Sequence, residues 1–212
     1  MEELNKIYDE LQLKYGDPNF NCAYGGGELK NPKVCFVFMN PTAKNISTIK
    51  SWNGVRYQWL GVKPIWKFLT NLGLFSVELN NIIQNKKAKD WTNDFCELVY
   101  NEVKDNSVYI TNLAKCTQAD ARPLPDSVFL EYKKYLIEEL LKVNPQKIIF
   151  FGNQVSSLML DQKITVSTCR KQKFNLSLNG KMYDSYAVFY PVGNGFFNVN
   201  KAIEDIKFIL NS

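Results

Sequence analysis

Three apolar runs separated by stretches of helical spacing constrain this chain more than any other feature. Lys33 to Met39, Ser107 to Thr111 and Lys147 to Phe151 are rich in β-branched and aromatic residues and read as buried strands. Residues 2–15, with apolar positions at Leu4, Ile7, Tyr8 and Leu11, have helical spacing. Pro64 opens a helix through Ile65, Phe68, Leu69 and Leu72 that ends near Gly73, and Trp91 to Lys104 forms another. Pro125-Asp126-Ser127 opens a helix through about Lys142, Asn153 to Leu160 is a short one, and Val199 to Leu210 is the last. Phe174 to Leu178 and Lys181 to Tyr183 pair around the turn dipeptide Asn179-Gly180, and Tyr186 to Tyr190 is a further strand. Strand and helix alternation predicts a parallel sheet covered on both faces. The expected fold is a three-layer α/β/α sandwich with a central, mainly four-stranded parallel sheet, in one domain over residues 1–212.

Composition removes several classes of function. The chain has no histidine, which excludes Ser-His-Asp and Cys-His catalysis and any His-ligated metal. Its five cysteines are odd in number and irregularly spaced, against a disulfide framework. No stretch approaches a membrane span, and the start, Met1-Glu2-Glu3-Leu4-Asn5, is acidic and polar rather than signal-like, so a cytoplasmic protein is expected. A net charge of +5 is compatible with nucleic acid without demanding it.

Two strands end on an amide. In Val108-Tyr109-Ile110-Thr111-Asn112-Leu113-Ala114-Lys115-Cys116 the apolar run stops at Asn112, and in Phe36-Val37-Phe38-Met39-Asn40-Pro41-Thr42 it stops at Asn40. The carboxyl ends of parallel strands line the ligand crevice of an α/β sheet. A carboxamide offers both a donor and an acceptor, which suits the edge of a nucleobase. The alternatives are a strand-capping Asn112 and a strand-terminating Asn40-Pro41 turn.

On these residues the chain resembles the uracil-DNA glycosylase superfamily over roughly residues 33–210. Met39-Asn40-Pro41-Thr42 resembles its first active-site motif, with Asn40 at the Asn that positions the attacking water in the mismatch-specific branch. Trp59-Leu60-Gly61 resembles the loop whose aromatic ring stacks on the flipped uracil, with Tyr57 and Phe38 as competitors for that role. Val108 to Cys116 resembles the bacterial and archaeal iron–sulfur branch, with Asn112 at the uracil-reading Asn. Arg122 with Pro123 and Pro125 resembles the loop before that branch's next helix, and Lys147 to Gly152 the buried strand after it. Tyr190-Pro191-Val192 falls where the second motif usually reads His-Pro-Ser.

The resemblance implies a monofunctional DNA glycosylase of base excision repair. Such an enzyme flips uracil or a related deaminated base out of single- or double-stranded DNA and hydrolyses its N-glycosidic bond. Asn40 and Tyr190 would be catalytic, and Asn112, Trp59 and Met39 would contact the base. Lys115 and Arg122 would meet phosphates, with Lys44 and Arg170-Lys171 as further cations. Phe196 or Phe197 would wedge into the duplex, one of the two instead anchoring the terminal helix. No cofactor, no membrane partner and a monomer are expected.

Departures from the family's pattern fall at chemically important places. Tyr190 replaces the usual His; a phenol can still donate to a developing oxyanion, or the residue simply ends its strand's core. Thr42 stands where many members carry Gly. Only Cys116 matches a cluster cysteine, and no Cys-x-x-Cys exists, so four thiolate ligands with the usual spacing cannot be assembled and no metal is expected. No Asp or Glu accompanies Asn40; the nearest, Glu28, belongs to the preceding loop. The alternatives are a catalytically weak or inactive glycosylase-fold protein that binds DNA or a nucleobase, and an unrelated α/β small-molecule enzyme. The last would need a phosphate-binding glycine motif or a triad, and Gly25-Gly26-Gly27 precedes a strand rather than joining strand to helix.

Overall fold

The first buried strand dictates the layering. Side chains alternate across a strand, and in β2 (Val34–Phe38) Val34, Phe36 and Phe38 enter one core while Cys35 and Val37 enter the other. All five are fully buried, so both faces must be covered. In this computed structural model, which describes residues 1–121 and 124–212, they are. On the Phe38 face lie α2 (Lys63–Asn71), α3 (Val77–Asn85), α4 (Asn93–Asp105) and α7 (Val199–Asn211). On the other lie α1 (Glu2–Tyr15), α5 (Asp126–Val143) and α6 (Asn153–Met159).

The sheet has six strands in the order β1-β3-β2-β4-β6-β5. Its centre is the expected parallel quartet, β3 (Val108–Asn112), β2, β4 (Lys147–Phe151) and β6 (Lys181–Val188). Two antiparallel strands flank it, β1 (Gly26–Gly27) on β3 and β5 (Lys173–Leu178) on β6. The α/β/α sandwich is therefore as the sequence implies, with two edges added. Along the chain β3 lies on one side of β2 and β4 on the other, so the connections diverge between β2 and β4. Ligand crevices of open α/β sheets form outside the carboxyl ends of strands at such a point.

Three local readings need correction. The loop of Glu28 that precedes the first buried strand is not loop throughout, because Gly26 and Gly27 pair with Ile110 and Tyr109. Gly27 has φ +107°, and a Cβ there would lie 2.2 Å from the Val108 carbonyl oxygen, so this edge strand is made by the absence of side chains. Lys181 to Tyr183 and Tyr186 to Tyr190 are not separate strands: β6 runs unbroken to Val188 and leaves Tyr190 beyond its end. The expected Asn179-Gly180 turn is present, both residues with positive φ. Helix α3 has no counterpart among the expected elements. Its sequence, VELNNIIQN, is poor in strong helix formers, and it is held by a Ser76 cap on the Leu79 N–H and by Gln84 Nε2 donating to the Lys63 carbonyl.

Candidate active site

Asn40 and Asn112 are placed by neighbouring strands that stay hydrogen-bonded after their ends. Leu113 N donates to the Phe38 carbonyl at 2.8 Å and Ala114 N to that of Met39 at 3.0 Å. Farther on, Gln118 N donates to Pro41 O and Ala43 N to Gln118 O. The two post-strand segments are thus zipped together, and Thr42, half-buried, lies within the zipped stretch.

Both amides are buried and incompletely paired. Asn112 is 1% exposed, and its Oδ1 has no hydrogen-bond partner among the described residues. Asn40 is 7% exposed; its Nδ2 donates to Pro41 O at 3.1 Å, and its Oδ1 likewise lacks a partner. A buried polar atom left unpaired costs about 1–3 kcal/mol. Two orphaned amide oxygens thus lie at the carboxyl ends of neighbouring strands, both on residues singled out from the sequence.

Phe38 is the floor of the site. It pairs in register with Asn112, and because Val108 and Ile110 face the Phe38 core, Asn112 faces it too. The Phe38 ring stacks on Phe151 at 4.4 Å. Trp59 meets Phe38 edge-on at 5.0 Å, and Tyr190 meets it edge-on at 5.8 Å. Of the expected stacking candidates, Phe38 is fully enclosed and Tyr57 packs on Tyr100 at 4.4 Å, which leaves Trp59.

Trp59 has φ +63°, a left-handed conformation that non-glycine residues seldom adopt. Its neighbours impose it. Gln58 is buried, donates through Nε2 to Ala23 O, and its carbonyl accepts from the Tyr100 hydroxyl. Leu60 is fully buried and its carbonyl accepts from Ile46 N. Such strain persists only where the surroundings over-determine it, and it gathers at functional sites. The Trp59 Nε1 is a third buried polar atom without a partner among the described residues.

Tyr190 is partly buried. No hydrogen bond among the described residues engages its hydroxyl, and burial pushes the phenol above its ordinary range, so it remains an O–H donor. Its carbonyl confines the following turn: a Cβ on Gly195 would lie 2.0 Å from Tyr190 O. That turn, the short helical segment Gly193–Asn198, projects Phe196 and Phe197 with 63% and 93% of their surfaces exposed. Neither anchors α7, contrary to the expectation for one of them; the buried Val192 and partly buried Val199 and Ile203 pack there.

The other expected contacts fare differently. Met39 packs, partly buried, against the opposite core from Phe38. Lys115 does not face the DNA side or solvent. Its side chain is fully enclosed, paired with Glu139 at 3.0 Å, and burial pulls its ammonium below the ordinary lysine range while Glu139 opposes that shift. It cannot reach a phosphate. Arg170 is ion-paired with Asp205 and Glu204, and Lys171 with Glu204, whereas Lys44 is exposed. Arg122 lies outside the described residues.

The residues do not fit an iron–sulfur cluster. All five cysteines are free, and among the described residues no group of three Cys, His, Asp or Glu side chains could hold a metal. Cys116 is buried, with its thiol pushed up by burial. No helix among the described residues is long and apolar enough to cross a membrane.

The family model of the uracil DNA glycosylase superfamily matches residues 25–201, most of the chain and the whole of the site just described. The chain belongs to that superfamily.

Proposed function

From that membership we propose that this protein excises a deaminated base, uracil or a close relative, from DNA by hydrolysing its N-glycosidic bond. The observation that carries the reading is that Asn112 and Trp59, each with an unpaired buried polar atom, meet at the Phe38 ring, while Asn40, also with an unpaired oxygen, follows the end of the neighbouring strand. Asn112 reads the base: its Oδ1 accepts from N3–H of uracil and its Nδ2 donates to O4, a polarity that cytosine reverses. Trp59 supplies the stacking face.

Chemistry at the sugar is hydrolytic. A water oxygen bonds to C1′, the bond from C1′ to the base nitrogen breaks with its electron pair leaving on the base, and the proton lost by the attacking water passes to solvent, from which the departing base takes one up. Asn40 orients that water through its carbonyl oxygen, but an amide is no true general base. The reaction therefore depends on electrostatic placement, with the Tyr190 hydroxyl donating to the departing base. Phe196 and Phe197 fill the gap left in the duplex.

A second reading is a catalytically weak or silent member that binds DNA or a nucleobase. It is favoured by Tyr190 in place of the usual His and by the lack of a carboxylate in Met39–Thr42. One assay separates the two. The protein is incubated with uracil-, hypoxanthine- and xanthine-containing oligonucleotides and then with alkali. Strand breaks at the modified base support excision; intact strands with retained DNA binding support the second reading.

A further inference from the structure

Behind β3, on the face opposite the candidate site, Glu139 of α5 is fully buried. Its Oε1 accepts from Tyr109 Oη at 3.0 Å and Thr111 Oγ1 at 2.5 Å. Its Oε2 accepts from Tyr8 Oη at 2.6 Å and pairs with Lys115 Nζ at 3.0 Å. Those partners match the acceptor capacity of a carboxylate. Lys115 Nζ lies 4.8 Å from the Tyr8 ring centroid and donates to the backbone carbonyl of Asn112 at 2.5 Å.

The last contact is the informative one. The peptide unit between Asn112 and Leu113 is gripped at both ends, its C=O by Lys115 and its N–H by the Phe38 carbonyl. Thr111, one step before, is tied to the same carboxylate. A peptide plane fixed at both its polar groups cannot turn about the Asn112 backbone, so the side chain on the other face is aimed. Stability does not require this arrangement, since a buried ion pair is often matched or bettered by apolar residues of similar volume. An apolar pair cannot hold a carbonyl oxygen; a charged donor does so strongly.

We propose that Lys115 and Glu139 are positioning residues for Asn112, setting the aim of its amide and through it the discrimination between bases. The inference rests on the reading of Asn112 as the base-reading residue. Removing one charge would strand the other, so the test replaces both, as K115M/E139Q, in which the introduced glutamine keeps an acceptor for Tyr109 and Thr111. This variant is expected to unfold cooperatively near the parent's midpoint yet excise uracil about tenfold more slowly or worse. In that background Asn112→Ala, costly in the parent, is expected to change the rate by less than about threefold, because the amide is already misaimed.

Equal effects of Asn112→Ala in both backgrounds would overturn the proposal. A second measurement is independent of activity: the side-chain amide resonances of Asn112, assigned by their loss in Asn112→Ala, should shift or broaden in K115M/E139Q. Unchanged resonances also overturn it. A parent that excises no base sinks the proposed function while the resonances still decide the positioning. If K115M/E139Q does not fold, Lys115→Arg keeps a charge paired with Glu139 but replaces the compact ammonium that grips the Asn112 carbonyl, and it carries the same comparisons.

Discussion

Phe38 stands directly across the β2–β3 pair from Asn112, and both face the same side of the sheet. The ring is wedged between Phe151 below and the edges of Trp59 and Tyr190. The amide thus projects from the strand next to a closely packed aromatic wall. Substitutions here are therefore read on stability and on excision together.

Asn112→Ala should lower base discrimination by about 1–3 kcal/mol, the value of one bidentate contact. Asn112→Asp should move preference toward cytosine, because a carboxylate accepts where the amide donates. Excision rates on matched uracil and cytosine oligonucleotides provide the check; unchanged preference in both variants, with the fold intact, would leave Asn112 as a strand cap.

Tyr190→Phe removes one hydroxyl that no described residue engages, so the fold should be nearly untouched. Excision should fall roughly tenfold or more while DNA binding persists. Tyr190→His should preserve or raise the rate. Single-turnover kinetics decide, and a Tyr190→Phe variant as fast as the parent ends the oxyanion role.

Phe197 exposes 93% of its surface, so Phe197→Ala should alter stability by no more than about 0.5 kcal/mol. Its effect should appear on DNA. Excision from duplex should weaken more than excision from single strands, where no stacked gap needs filling. Equal losses on both substrates would refute the wedge.

Trp59 separates ring from backbone. Trp59→Ala and Trp59→Gly both delete the stacking face and should abolish most excision. They should differ in stability, because glycine accepts φ +63° and alanine resists it. The glycine variant should be the more stable of the two, by roughly 0.5–1 kcal/mol. Denaturant midpoints measure the gap.

Alkali should unfold the protein through its tyrosines. Burial raises Tyr8, Tyr100, Tyr109, Tyr132 and Tyr190 above the ordinary value of 10.0. Below pH 10 these groups are protonated folded and unfolded alike, and their contribution is fully present. Above it the unfolded chain ionises first, so stability falls as pH rises from about 10 toward the folded values. Tyrosinate absorbance should rise together with loss of helical signal; tyrosinate forming well before unfolding would contradict this.

The parts legible in the sequence share a physical reason. Strands β2, β3 and β4 are continuous apolar runs because both faces are buried, and each stops where the chain reaches the crevice, which is why Asn40 and Asn112 could be read. Trp59 was legible as a loop aromatic, but its left-handed backbone was not, since that is imposed by Gln58 and Leu60 through partners distant in sequence. The burial of Lys115 is hidden from the sequence for a related reason. A lysine just past a strand ordinarily reaches water, and nothing near it in sequence announces Glu139, which lies on the next helix. Edge strand β1 was hidden because two glycines carry no alternating pattern, and α3 because tertiary packing overrides its weak propensity.

The two faces of β3 assign roles by parity. Even-numbered Val108, Ile110 and Asn112 look toward the aromatic floor, while Tyr109 and Thr111 look toward the buried carboxylate. A single residue gained or lost within this strand would exchange the two sets, sending hydroxyls to the crevice and the amide into an ionic core. Length within β3 is therefore as much a part of the site as the identity of Asn112, and changes in chain length belong in the outer loops instead.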